Sequence, residues 1–255
     1  MRSCREREAT GHHPGGGLFA CGFPQRGRCT VKALILANGL LTHPDQVRAL
    51  AQQADLLIAA DGGSERALAL GLRPHLVVGD LDSLPLDTWR ALEASGTVLL
   101  QYPAATDETD LELALRQAVA RGADEIAICA ALGGRTDQTL ANVLLLALPE
   151  LEGRRCSIVE GKEAVFLIRS GVEVAGEAGD LLSLIPIGGD CHGIWTEGLE
   201  YPLAGGTLFL ARARGISNVF TAPRARIRVG QGLLLAVHRA REVRTTWPDL
   251  TLLEG

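Results

Sequence analysis

Over roughly the first half of the chain that follows residue 30, apolar runs of strand length alternate with stretches of helical periodicity. The runs stand at 33–37, 56–60, 76–78, 97–100, 126–130 and 156–159. Between them the clearest helix is predicted over 110–121, where Leu111, Leu115, Ala118 and Val119 share one face. Thr109 and Glu112 have the spacing of a capping box at its start, and Gly122 sits where a helix C-cap belongs. Alternation of this kind predicts an α/β unit with a parallel sheet and helices on both faces.

Beyond about residue 160 the pattern changes. Short β-rich runs follow one another between glycines, at 164–168, 181–186, 207–211, 225–229 and 233–237, with no long helical pattern among them. Close-spaced short strands point to a β-sandwich or barrel. The expected division is an α/β unit over 31–160, a smaller all-β sandwich over 161–244 and a C-terminal tail over 245–255. Residues 1–30 hold Gly15-Gly16-Gly17, His12-His13 and three of the six cysteines without sustained periodicity, and are expected to be a disordered extension. Leu18-Phe19-Ala20 is too short for the apolar segment of about 7–15 residues in a secretory signal.

Composition narrows the function. With 47% hydrophobic and 22% charged residues among 255, the chain is globular in character. A net charge of −5 argues against general nucleic-acid binding, and no apolar run approaches the roughly 20 residues that cross a bilayer. The cysteines form no CxxC pair and the histidines no metal spacing, so a reducing, cytoplasmic setting is expected. Only Lys32 and Lys162 are lysines; Gly161-Lys162 lacks the rest of a Walker phosphate loop, so any nucleotide is held by another device. Arg224, Arg226 and Arg228 alternate at strand period and read as a solvated sheet face.

The informative feature is where carboxylates fall relative to the strands. The run 56–60 ends in Asp61-Gly62-Gly63, and 76–78 in Gly79-Asp80-Leu81-Asp82-Ser83. The run 97–100 leads to Asp107-Glu108-Thr109-Asp110, and 126–130 to Gly133-Gly134-Arg135-Thr136-Asp137. In an open parallel sheet these loops share the carboxyl edge, where ligands bind. Between residues 55 and 110 there are ten Asp or Glu against three Arg. Such crowding calls for a compensating cation, and an all-oxygen set suits Mg2+ held with substrate phosphates. Asp80 and Asp82, one residue apart, can both reach one ion, and Arg135 offers a planar fork to phosphate oxygens. These parts describe phosphoryl or pyrophosphoryl transfer. Singly, Asp61, Asp107 and Asp137 also suit helix N-caps; Tyr102 and Trp195 read as packing residues.

Together with Gln138-Thr139-Leu140-Ala141-Asn142, the 196–203 segment Thr-Glu-Gly-Leu-Glu-Tyr-Pro-Leu and Gly215-Ile216-Ser217-Asn218, this series resembles the thiamine pyrophosphokinase (thiamine diphosphokinase) family, in family order across roughly 33–238. The resemblance implies a homodimer of two-domain subunits with active sites at the interface, binding thiamine and ATP, with no nucleic-acid or membrane partner. It implies transfer of pyrophosphate from ATP to the thiamine hydroxyl, releasing AMP. By the same resemblance Asp80, Asp82 and Asp110 hold Mg2+. Asp61, Gly62, Arg135, Asp137, Gln138 and Asn142 surround the nucleotide. Thr109, Ser217 and Asn218 contact substrate, and Asp107 or Asp110 accepts or orients the hydroxyl proton. The chain departs from the common bacterial pattern at Thr106, where lysine is frequent, and at Gln138, where histidine is. Two other readings share the same edge: a pyrophosphokinase for another heteroaromatic alcohol, and a catalytically silent thiamine- or nucleotide-binding regulator.

Overall fold

The computed structural model describes residues 30–82 and 84–253. The expected N-terminal extension, with His12, His13 and its cysteines, lies outside the described residues. The strands are β1 (Lys32–Leu36), β2 (Leu56–Ala60), β3 (Leu76–Gly79), β4 (Val98–Gln101), β5 (Glu125–Cys129), β6 (Arg155–Glu160) and β7 (Glu163–Ile168). They continue with β8 (Gly171–Ala175), β9 (Leu181–Glu197), β10 (Ala204–Leu208), β11 (Asn218–Val219), β12 (Arg224–Arg228), β13 (Gln231–Arg239) and β14 (Leu250–Leu252). The helices are α1 (Pro44–Ala51), α2 (Gly63–Ala69), α3 (Leu86–Ala94), α4 (Asp110–Ala120) and α5 (Thr136–Leu144).

Strands β4, β3, β2, β1, β5 and β6 lie side by side in that order, all parallel. Their side chains alternate between two cores. On β1, Ala33 and Ile35 pack with Ile58, Leu115 and Ile128, whereas Leu34 and Leu36 pack with Leu50, Leu57 and Val159. Burial on both faces explains why the sequence shows β1, β2, β3, β5 and β6 as unbroken apolar runs, whereas β4, at the sheet edge, is largely exposed. The strand order reverses at β1, whose neighbours are β2 and β5, and that reversal opens a crevice beyond its carboxyl end. Helix α4 begins as its sequence predicts: the Thr109 hydroxyl accepts from the Glu112 amide at 3.3 Å.

The all-β half joins this sheet without a gap. Gly161 and Lys162 form the turn of a β6–β7 hairpin in which Glu160 opposes Glu163, and β13 and β9 extend it antiparallel. Strand β9 is longer than the 181–186 run predicts. It continues through Gly188 and Gly189, with φ of 76° and 159°, and so passes from β13 to β12 and β10. The pattern reads that glycine pair as a strand end because glycine usually marks one, whereas here it bends the strand between two layers. The run 207–211 is strand only to Leu208; β10 starts earlier, at Ala204, where its glycines hide the pattern. Residues 245–253, expected as a tail, pack on the body: Trp247 is buried in the β1–α1 core and β14 pairs with β8. Arg224 and Arg226 lie exposed and pair with Glu173, as a solvated sheet face. Among the described residues no helix is long and apolar enough to cross a membrane.

Candidate active site at the carboxyl edge of the parallel sheet

Each acidic loop is shaped by its own backbone. Asp61, directly after β2, takes φ of 41°, a left-handed conformation rare outside glycine. Its amide donates to the Val78 carbonyl at 2.8 Å, so the turn is pinned to β3. Leu81 is also left-handed, at φ of 57°, and its buried side chain packs with Val77 and Leu92. That anchor leaves the carboxylates on either side of it at the surface: Asp80 half-buried and Asp82 exposed. The Asp80 carboxylate accepts from the Asp82 amide at 3.3 Å, and its carbonyl accepts from Gln101 Nε2 at 2.9 Å.

These loops converge at Gly79. A side chain there would stand 3.0 Å from Asp61 Cβ and 3.1 Å from Asp110 Oδ1, so glycine lets residues far apart in sequence meet. The meeting shows in their protonation. The Asp110 carboxyl is pushed up to about 6 by burial and by the charges of Asp61, Asp80 and Asp82. Asp61 is raised by burial and then by Asp80, Asp82 and Glu65, against a lowering hydrogen bond from Gly62. Asp61 Oδ1 is buried with no hydrogen-bond partner. An orphaned anionic oxygen among three further carboxylates fits a hard divalent cation, which would relieve both deficits. Among the described residues no three acidic, His or Cys side chains make a finished cation cage, so the acids share a field rather than a preformed shell.

Beside them is a cleft of about 450 Å³, lined by Asn38, Gly39, Leu40, Arg66, Thr109, Asp110, Gly133, Gly134, Arg135, Gln138 and Asn142. It lies at the strand-order reversal, closed on one side by the Gly39 amide bonding the Ala130 carbonyl at 2.6 Å. Asn142 is buried and donates to the Ala131 carbonyl at 2.8 Å. A smaller hollow of about 220 Å³ shares Thr109, Asp110 and Gln138 with it and adds Asp80 and Tyr102.

Of the sequence-predicted residues, Asp61, Gly62, Asp80, Asp82, Thr109, Asp110, Arg135, Gln138 and Asn142 come together here. Arg135 is exposed and held through its fork by Asp137, which lowers the Asp137 carboxyl; Asp137 also accepts from the Gln138 amide. Asp107 is exposed and lines neither hollow, although its neighbours Thr106 and Glu108 line the smaller one. Ser217 and Asn218 stand apart, in the all-β half. The Asn218 side chain clasps the backbone of Tyr201 at both its amide and carbonyl, at 3.0 and 2.8 Å. Asn38, Gly39, Leu40 and Arg66 escape the sequence reading, since only the strand order reveals that the loop after β1 borders the crevice. Trp195, read as a packing residue, is 56% exposed, and Tyr201, Phe209, Leu210 and Ile216 are exposed as well. Tyr102 is half-buried, and its hydroxyl accepts from Gln117.

Comparison with known proteins bears on the family and the fold. A family model described as thiamin pyrophosphokinase, catalytic domain, matches residues 47–158, and one described as thiamin pyrophosphokinase, vitamin B1 binding domain, matches residues 171–234. A thiamine pyrophosphokinase of Bacillus subtilis (strain 168) is 28% identical over 206 residues, 80% of this chain and 96% of its own. A crystal structure of thiamine pyrophosphokinase from Bacillus subtilis superposes with a TM-score of 0.73 at 26% identity, covering 82% of this chain and 99% of that one. A yeast thiamin pyrophosphokinase structure superposes with a TM-score of 0.69 at 15% identity, covering 86% and 88%, and speaks to the fold alone.

Proposed function

The chain belongs to the thiamine pyrophosphokinase family, and from that premise we propose that it is a thiamine diphosphokinase. It transfers the pyrophosphoryl group of ATP to the thiamine hydroxyl, giving thiamine diphosphate and AMP. The observation that carries this reading is the convergence of Asp61 and Asp110 on Gly79, within the field of Asp80 and Asp82, beside a cleft of nucleotide scale.

In this reading the 450 Å³ cleft takes the nucleotide, with Gln138, Asn142 and Arg135 in its lining, Gly62 behind Asn38 and Asp137 paired to Arg135. Asp80, Asp82 and Asp110 would hold Mg2+, with Asp61 beside them. When bound, that ion supplies charge neutralisation for the polyphosphate. The thiamine oxygen forms a bond to the β-phosphorus as the bond from that phosphorus to the α–β bridging oxygen breaks, and AMP leaves with that oxygen. Asp110 is better placed than Asp107 to take the hydroxyl proton. It lines both hollows, whereas Asp107 lines neither. Thr109 caps α4 and so fixes the first turn that carries Asp110.

Ser217 and Asn218 lie outside the cleft of one chain, which supports the reading that a second copy brings its all-β half to the site. Tyr201, which Asn218 clasps, and Ile216, next to Ser217, are exposed beside them, and Trp195 and Leu210 are exposed elsewhere in the all-β half; these provide apolar surface for that homodimer and for the aromatic pyrimidine and cationic thiazolium of thiamine.

The test is coupled AMP release from the purified chain with ATP and Mg2+. Thiamine-dependent AMP formation, reduced at least about 100-fold by Asp80→Asn or Asp82→Asn in folded protein, is the expected result. Turnover only with another heteroaromatic alcohol, or binding of thiamine without any AMP, would overturn it.

A further inference from the structure

We infer that Arg66 binds a phosphate of the nucleotide and is the main protein cation inside the cleft. This deepens the nucleotide reading of that cleft and rests on it. Arg66 stands on α2, shortly after the Asp61 turn, and lines the cleft with Asn38, which it bonds, and Asp110.

Its hydrogen bonding is incomplete in an informative way. Nη2 donates to the Asn38 carbonyl at 3.0 Å, which fixes the plane of the fork. Nε is sheltered from solvent and has no partner. Among the described residues no carboxylate forms a salt bridge with it. A guanidinium left with an unused, shielded N–H in a concave site is poised for an anionic oxygen, and a phosphate matches its planar fork.

The other cation lining the cleft is differently placed. Arg135 is 73% exposed and its fork is already occupied by Asp137, so its charge is largely answered within the chain. Thr106, at the approach to α4, closes a local turn by accepting from the Glu108 amide at 3.0 Å and brings no charge. Around the carboxylates of Asp61, Asp80 and Asp110, a polyphosphate meets repulsion that Arg66 offsets from the β1–α2 side.

The experiment uses the full chain with Arg66→Gln and Arg66→Lys, with folding checked by circular dichroism. AMP affinity is measured by calorimetry without thiamine, and the KM values for ATP and thiamine from AMP release. Expected is an AMP affinity weakened at least tenfold in both variants, a matching rise in the ATP KM, and a thiamine KM within twofold of wild type. Lysine does not restore binding, because its point charge cannot replace the fork held by Asn38. Wild-type AMP affinity in both folded variants, or in Arg66→Lys alone if Arg66→Gln does not fold, overturns the inference. A fall in kcat with AMP affinity and ATP KM untouched marks a structural role and overturns it too. The two readings fail separately: wild-type turnover with unchanged variants removes Arg66 only. Arg66-dependent AMP binding in a chain that never turns thiamine over removes the proposed reaction only.

Discussion

Asp110 shows at the level of a single side chain how the site is held in tension. Its carboxyl is raised to about 6, first by burial and then by Asp61, Asp80 and Asp82. A carboxyl raised in the folded state favours folding where it is protonated, and that contribution is lost as pH climbs through about 6. At pH 8 the ionised group therefore costs stability. Asp110→Asn is expected to raise stability at pH 8 by about 1–2 kcal/mol, or several degrees of melting temperature, with the gain vanishing near pH 4. The same variant should lose at least about 100-fold in turnover. Thermal unfolding across pH, beside the AMP-release assay, checks both. Mg2+ added to the wild type should recover much of the same increment and do less for the variant. A variant less stable than wild type at pH 8 would show that the carboxylate is already satisfied.

At the scale of elements, β13, the start of β9 and the 240–249 segment are joined by one buried cluster. His238 Nε2 donates to Asp180 at 2.9 Å, its Nδ1 accepts from Arg244 at 2.7 Å, and Phe220 stacks on the ring at 4.8 Å. This is the neutral imidazole with both nitrogens used. Burial and the Arg244 charge push His238 down to about 4, outweighing Asp180. The unfolded chain thus takes up this proton first, and stability present above about pH 6.5 is lost as pH falls toward 4. The expected loss is about 2–3 kcal/mol over that window. Asp110 acts in the opposite direction below pH 6, so the measurement is a difference: denaturant unfolding at pH 7 and pH 4.5 for wild type and His238→Gln. The variant should be less stable at pH 7 and show a shallower fall. An unchanged slope would place the acid sensitivity elsewhere.

For the whole molecule, the proposed site draws on both halves of the fold. The carboxylate cluster belongs to the parallel half, whereas Ser217, Asn218 and the exposed Trp195, Tyr201, Leu210 and Ile216 belong to the all-β half. Under the proposed assembly, Leu210→Asp with Ile216→Asp should convert a dimer to a monomer in sedimentation. It should also reduce turnover at least about tenfold at concentrations where the wild type is dimeric, since a charge at a dehydrated apolar contact is costly. Full turnover by a monomer would separate assembly from catalysis.

Several features could be read from residue order alone. Five of the six parallel strands showed as apolar runs because both their faces are buried, β4 at the edge being the exception, and the α4 start was written in Thr109 and Glu112. The acid-bearing loops were identifiable because a parallel sheet sends every strand-to-helix loop to one edge. The length of β9 was not legible, because Gly188-Gly189 looks the same as a bend or as an end. Nor was the packing of Trp247, which bonds Leu50 197 residues away, or of β14, which pairs with β8. Periodicity reports a residue's immediate neighbours, and these features are set by remote ones.

The sequence by itself determined which carboxylates lie at strand ends and that they lie on one side of the sheet. Only the tertiary structure decided which of them meet: Asp61 and Asp110 close on Gly79, while Asp107 stays in solvent. It also brought Asn38, Gly39 and Arg66 into the cleft, because strand order, and with it the position of the crevice, follows from how the strands pair rather than from any local pattern.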